Sequence, residues 1–589
     1  MAVIRAQWGS RFGFLLASIG SAVGLGNIWR FNYLAYKWGG GTFILVYIFA
    51  ILTAALPILI LEYGLGHRFR RTAPLAFRKI GKRLEVIGWI PLVQMIFLVA
   101  YYCVILAWVL NYLFYSRSLP GVESTNEFFF TSFLHLSDSP WSMQTIVPII
   151  AVALFIVWFL NWVVIIRGLQ GGMELYAKLL MPVLAALVVI IIIRGVTLPG
   201  AGQGIAAYLT PVWEKLGQPS LWVDAFSQVF FSISAAFGIM IAFSSYLPRK
   251  ANLVSAGLTV ALANSGFFEI LLGFGSFGTL GYLAHVSGKP MDEVVTSGIG
   301  FAFVVFPEAL ARLPGAAWVP VVFTALFFLT LFVAGFTSSL SIVQAVTTTF
   351  WDKFRWARSR ITTGLCLFAF VIGLVYVTHS GLFILDIVDN YISKYVLLFI
   401  GTCECIIVGW IWGIDKLIAH HNRQPGMKLQ ALFGTVITYV VPLILLVIAW
   451  FLGATSLKKL PGELALNPDA AMMLYISHLA VPVIIGLAAF ALAGWSITKR
   501  NNEQYTILIK YWIPVVLTLI FYQGWFGEFK EAYEGYPWGA LAFFGGGMLL
   551  HIVTIAFLLA SARGHPTLDD ELADEEQQFT ESLDLEHAD

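Results

Sequence analysis

Long apolar runs alternate with short polar ones along almost the whole chain. Fourteen can be marked, near 12–36, 42–66, 86–115, 144–164, 170–195, 222–246, 254–284, 317–350, 361–379, 383–414, 429–453, 471–496, 506–525 and 538–561. A helix needs roughly 20 residues to cross a bilayer, so the pattern predicts an all-α polytopic membrane protein. Two runs are too long for one straight crossing and predict kinks or turns outside the membrane.

The first run is interrupted. Ser18-Ile19-Gly20-Ser21-Ala22-Val23-Gly24-Leu25-Gly26-Asn27-Ile28-Trp29-Arg30-Phe31 holds three glycines within seven residues, then Asn27 and Arg30. A glycine costs a helix interior about 1 kcal/mol relative to alanine. A break at membrane depth is tolerated only where the freed backbone is buried in protein or lines a cavity. Small residues also let helices pack closely, but Asn27 and Arg30 are expensive at that depth and point to function. The sixth run is interrupted too, at Phe230-Phe231-Ser232-Ile233-Ser234-Ala235-Ala236-Phe237-Gly238. A lone serine there would mean little. Paired breaks in corresponding runs of two five-run repeats mark a transporter binding site.

Composition fits: 59% of residues are hydrophobic and 12% charged, with mean hydropathy +0.83. The basic residues cluster in loops that share one side if every run crosses once. They are Arg68, Arg70, Arg71, Arg78, Lys79, Lys82 and Arg83, then Lys353, Arg355, Arg358 and Arg360, then Lys499, Arg500 and Lys510. The positive-inside rule makes that side, and both termini, cytoplasmic; Lys458 and Lys459 are a modest exception. Net charge is +2, but Asp569 to Asp589 hold ten acids and no Lys or Arg, leaving 35 basic against 23 acidic residues elsewhere. Cys103, Cys366, Cys403 and Cys405 all fall inside apolar runs and read as small buried side chains. The missing Asn-x-Ser/Thr sequons and loop cysteines favour a bacterial-type carrier of the inner (plasma) membrane. No HExxH, GxSxG or P-loop motif suggests an enzyme, and nothing suggests a nucleic-acid partner.

Gly-Ser-Ala-Val-Gly-Leu-Gly-Asn-Ile-Trp-Arg-Phe, with Gly39-Gly40-Gly41-Thr42-Phe43 after it, resembles the first-helix signature of the neurotransmitter:sodium symporter family. Asn32 stands where that family usually has proline. The resemblance implies inverted repeats of five spans (about 12–196 and 222–420) inside a core of 12–420. A gate segment (1–11) precedes the core, further C-terminal spans (421–562) and an acidic tail (563–589) follow. Twelve spans are usual there, so the C-terminal part holds two to four.

It also implies two sodium ions. One would be held by the carbonyls of Gly20, Val23 and Ala334 with the hydroxyls of Thr337 and Ser338. The other would use Ala22, Asn27, Ser232 and Asn264 with the substrate carboxylate. Sodium is a hard cation, and neutral oxygen ligands suit it. Glu269 lies five residues after Asn264, one more than the family spacing; a one-residue insertion such as a π-bulge brings it into register. It would then replace chloride as a fixed anion and could exchange a proton. Glu62, also mid-span, reads as structural.

Monoamine carriers of the family have an acid where Gly24 stands. Its absence argues for a substrate bearing its own carboxylate, bound by Tyr102 with Ser21, Ala22, Gly24, Gly26 and Ser338. Leu25, Leu98, Phe231, Ser234, Phe237 and Ile342 would form a mostly apolar wall, which fits a neutral, hydrophobic amino acid. Arg30 with Asp389 resembles an external gate, and Arg5, Trp8, Tyr246 and Asp352 an internal one. The function expected is sodium-coupled amino acid import. A carrier of another zwitterion (GABA, betaine or taurine) stays open, and a sensor or channel on the same scaffold is the remoter alternative. Oligomeric state is not legible.

Overall fold

The computed structural model describes residues 6–295, 298–466, 471–498, 502–530, 532–568 and 570–572. Among these there are helices and one isolated bridge, Ile146 to Thr378, but no strand. Eleven helices are long and apolar enough to cross a membrane, and a bent pair makes a twelfth. The bent pair is α1 (Arg11–Ala22) and α2 (Leu25–Lys37), which meet at 66°. Then come α3 (Gly41–Phe69), the short α4 (Ala73–Ile80), α5 (Lys82–Tyr115), α6 (Pro148–Ile165) and α7 (Leu169–Val196).

The second half begins with another broken helix, α8 (Pro219–Ser232) and α9 (Ile239–Ser244). It continues through α10 (Leu253–Ser287), α11 (Trp318–Phe354), α12 (Arg358–Val377) and α13 (Gly381–Arg423). Four more helices follow: α14 (Leu429–Ala454), α15 (Ala471–Thr498), α16 (Glu503–Phe526) and α17 (Trp538–Ser561). All fourteen apolar runs are thus helical. The run at 317–350 lies on one α-helix of 37 residues, α11. At 1.5 Å per residue it is about 55 Å long, so it projects beyond the roughly 30 Å hydrocarbon layer.

The two breaks differ in character. Between α1 and α2 only Val23 and Gly24 leave the helix, both in extended conformation. Between α8 and α9 the chain makes a full turn in which Ser234, Ala236 and Gly238 have φ of 55°, 63° and 73°. The two outer half-helices are tied together. Asp224 of α8 accepts from Lys37 Nζ at 2.9 Å and from Trp38 Nε1 at 2.8 Å.

The end of the bundle that carries Arg71, Lys353 and Arg355 is here called the basic end. Lys353 is fully buried there, between Glu85 Oε1 (2.6 Å) and the last carbonyls of α17. A buried cation of this kind persists only when paired. The chain beyond α17 folds back onto this end. Leu568 and Leu572 pack on Leu75 of α4. Glu571 meets Arg71 at 3.2 Å and also pairs with Arg355. Arg5, Lys499 and Arg500, like tail residues 573–589, lie outside the described residues.

Candidate functional site

The break in α1–α2 is closed by its own side chain. Asn27 Oδ1 accepts from Gly24 N at 2.8 Å, which caps the start of α2. Asn27 Nδ2 reaches Asn264 Oδ1 of α10 at 2.9 Å and Ser232 Oγ of α8 at 3.4 Å. Asn264 Nδ2 in turn donates to Ser232 Oγ at 2.6 Å. Asn27, Ser232 and Asn264, from three helices, therefore share one buried polar knot, with Ala22 at the end of α1 beside it.

One turn nearer the basic end, α1 abuts α11. A Cβ at Gly20 would lie 3.3 Å from Thr337 Cβ. The Thr337 hydroxyl donates to Ala334 O at 2.9 Å, and Ser338 Oγ donates to Ser21 O at 3.2 Å. Val23, 1% exposed, is the C-cap of α1. Gly20, Val23, Ala334, Thr337 and Ser338 thus occupy one level of the α1–α11 contact.

Beside these two levels lie the residues expected to contact substrate. Leu25 N, at the start of α2, donates to the hydroxyl of Tyr102 of α5 at 3.1 Å. A Cβ at Gly24 would stand 2.8 Å from that hydroxyl and 3.6 Å from Ser338 Oγ. The Tyr102 hydroxyl thus fills the space beside Gly24. A Cβ at Gly26 would meet the Phe231 ring at 3.1 Å. Phe231 and Phe237 stand edge to face at 6.2 Å. Ser234 Oγ donates to Ser21 O at 3.0 Å. Leu98 and Ile342 are buried, 3% and 5% exposed.

Glu269 is fully buried in the ten-residue π-helix Leu262–Leu271 of α10. A π-helix bonds i to i+5, which turns a residue five positions after Asn264 toward the same side. Its carboxylate accepts from Tyr47 Oη of α3 and from Gln228 Nε2 of α8 at 3.0 Å. Ser265 Oγ is 3.2 Å from the same Tyr47 hydroxyl. Tyr47, Gln228 and Ser265 were not picked out from sequence. Their signal was weak: single polar groups inside apolar runs, with partners on other helices.

The expected gates are placed unequally. Arg30 and Asp389 do not pair. Arg30 lies over the Phe231 ring, 5.3 Å from its centroid. Asp389 Oδ1 accepts from Tyr101 Oη at 2.6 Å and Ser393 Oγ at 2.7 Å. At the basic end the contacts are closed. Trp8 Nε1 donates to Phe243 O at 2.8 Å and Trp8 N to Tyr246 O at 3.1 Å. Tyr246 Oη is 2.7 Å from Thr348 Oγ1. Asp352 accepts from Thr72 N at 2.9 Å and lies 3.9 Å from Arg71. Arg71 and Thr72 are thus further members of this end. Glu62 Oε1 accepts from Gly238 N at 3.2 Å and braces the second break.

Comparison with known proteins agrees with this architecture. Residues 5–122 and 120–495 match the sequence profile of the sodium:neurotransmitter symporter family. An uncharacterized sodium-dependent transporter of Methanocaldococcus jannaschii is 40% identical over 452 residues, covering 77% of this chain and 91% of that protein. The human sodium- and chloride-dependent neutral and basic amino acid transporter B(0+) is 31% identical, with coverage of 72% and 75%. The human sodium- and chloride-dependent GABA transporter 2 is 31% identical, with coverage of 72% and 76%. Matched along most of its length, and helical throughout with two broken helices facing each other, this chain belongs to the sodium:neurotransmitter symporter family of sodium-coupled membrane transporters.

Proposed function

We propose that the protein imports a neutral, hydrophobic amino acid with two sodium ions, by alternating access. The observation that carries this reading is the Tyr102 hydroxyl at 3.1 Å from Leu25 N. The Tyr102 hydroxyl accepts there from the N-terminus of a half-helix and keeps its own proton to donate. That suits a carboxylate, because half-helix N-termini favour anions. The adjoining wall of Leu25, Leu98, Phe231, Phe237 and Ile342 suits an apolar side chain. The oxygen-rich levels at Asn27–Ser232–Asn264 and at Gly20–Val23–Ala334–Thr337–Ser338 would take the two ions. Glu269 would supply the fixed negative charge that chloride supplies elsewhere.

The basic end would face the cytoplasm of the cell, with both termini there, and the membrane would be the plasma membrane. With Trp8 seated and Arg30 apart from Asp389, the arrangement resembles a carrier closed at its basic end. Uptake of labelled amino acids into proteoliposomes tests the reading. Accumulation of leucine, methionine or an aromatic under an inward sodium gradient, but not with potassium, supports it. A GABA- or betaine-type carrier would instead show up as competition by those zwitterions alone.

A further inference from the structure

Glu174, at the start of α7, is 2% exposed and lies beside the N-terminus of α1. Its carboxylate accepts from Gly9 N at 2.6 Å, from Ser10 Oγ at 3.0 Å and from Lys178 Nζ at 2.6 Å. Ser10 is also the N-cap of α1, accepting from Gly13 N at 3.0 Å. Gly13 matters for a second reason. A Cβ there would fall 2.5 Å from the Glu174 carboxyl carbon and closer still to one oxygen. Only glycine lets the carboxylate reach the helix end. A second tie runs alongside, from Gln170 Nε2 to Gln7 O at 2.8 Å.

The same two helices touch again higher up, where a Cβ at Gly20 would be 2.9 Å from Met181 Sδ. So α1 is fastened at two heights: at Gly20 it is wedged between α7 and α11, and at its N-terminus it is bound by an anion. A carboxylate facing the positive end of a helix is favourable, and charge-assisted hydrogen bonds are roughly twice as strong as neutral ones. If the basic end opens, α1 must swing away from α7. That movement breaks the bonds from Gly9 and Ser10 and leaves Glu174 with Lys178 alone.

We propose that Glu174 is a positioning residue for transport: it latches α1 to α7 and so sets how readily the basic end opens. This rests on the alternating-access reading above. It would act through the angle of α1.

The test uses a cysteine at Thr348, a buried position behind Tyr246, in reconstituted full-length protein. Its labelling by a membrane-impermeant thiol reagent is read in sodium and in potassium, against the parent protein with its native cysteines. With Glu174→Gln or Glu174→Ala, labelling in sodium is expected to speed up roughly tenfold, the ratio that about 1.4 kcal/mol sets. Gly13→Ala should act alike by pushing the carboxylate out. Combined with Glu174→Ala, it should add nothing, since the space it needs is then empty. Unchanged labelling in the Glu174 variants overturns the latch, as does a Gly13→Ala effect that simply adds to theirs. Labelling that ignores sodium in the parent, yet speeds up in Glu174→Ala, keeps the latch and removes the sodium-driven reading.

Discussion

The Tyr47 hydroxyl of α3 is bonded to the Glu269 carboxylate of α10, 222 residues further along the chain. Gln228 also donates to that carboxylate, and Ser265 bonds the Tyr47 hydroxyl, so two donors converge on one buried carboxylate. The two donors would suit a free anion equally well. Glu269→Ser is therefore expected to leave transport weak without chloride and to restore it with added chloride. The parent protein should be indifferent to chloride. Uptake in gluconate and chloride buffers measures both.

The pocket makes a second prediction. Tyr102→Phe removes one neutral hydrogen bond, worth about 1 kcal/mol. The expected result is roughly a fivefold rise in KM for the amino acid. Gly24→Ala is expected to do more, because its methyl would be placed 2.8 Å from the Tyr102 oxygen. The double variant Gly24→Ala with Tyr102→Phe should recover part of that loss. Initial uptake rates across substrate concentration decide it.

Ala236 holds a left-handed conformation at φ 63°, which costs a non-glycine residue about 1–2 kcal/mol. Ala236→Gly relieves that strain but loses a methyl worth about 0.8 kcal/mol and adds unfolded-chain entropy of about 0.5–1 kcal/mol. The terms nearly cancel, so the variant should melt close to the parent. Ala235 is equally buried but not left-handed, so Ala235→Gly lacks the compensating relief. It should be less stable than Ala236→Gly by about 1–2 kcal/mol. Thermal melts in detergent compare the two.

Leu568 and Leu572 should matter more to the folded-back segment than Glu571 does. Burying a leucine is worth about 1.5–3 kcal/mol, whereas a partly exposed ion pair contributes about 0–1 kcal/mol. Leu568→Ala should thus free the segment to proteases, and Glu571→Gln should loosen it only slightly. Burial pushes the Glu571 carboxyl up, but hydrogen bonds from Thr567 and Arg355 outweigh it and hold it below its ordinary 4.5. A lowered carboxylate stabilises above its ordinary value and is lost as pH falls through the lowered one. The contact should therefore hold from pH 8 down to 5 and weaken only below about 4.5. Limited proteolysis across that range checks it.

Both broken helices were legible in the sequence because their causes are local: glycines at 20, 24 and 26, and serines at 232 and 234 amid aromatics. The π-helical register of Glu269 was legible from its spacing to Asn264. Glu174 and Tyr47 were not, because their meaning lies in partners about 165 and 222 residues away. A lone acid at the start of an apolar run looks like an ordinary helix end. Where Arg30 and Asp389 stand was not legible for another reason. A pair that meets in one conformation can part in another, and sequence carries no conformation.

Ser21 offers its carbonyl to Ser234 and Ser338, which lie 213 and 317 residues downstream. A ribosome adding 5–20 residues per second needs roughly 15–60 s to travel from the first to the last of these. For that time the newborn first span has an opened backbone without its full set of partners. It must wait beside the insertion machinery or near the lipid headgroups, because bare hydrocarbon would not accept it. The break between α1 and α2 is thus also a part of the chain whose bonds can be completed only after more than half of the 589 residues have been made.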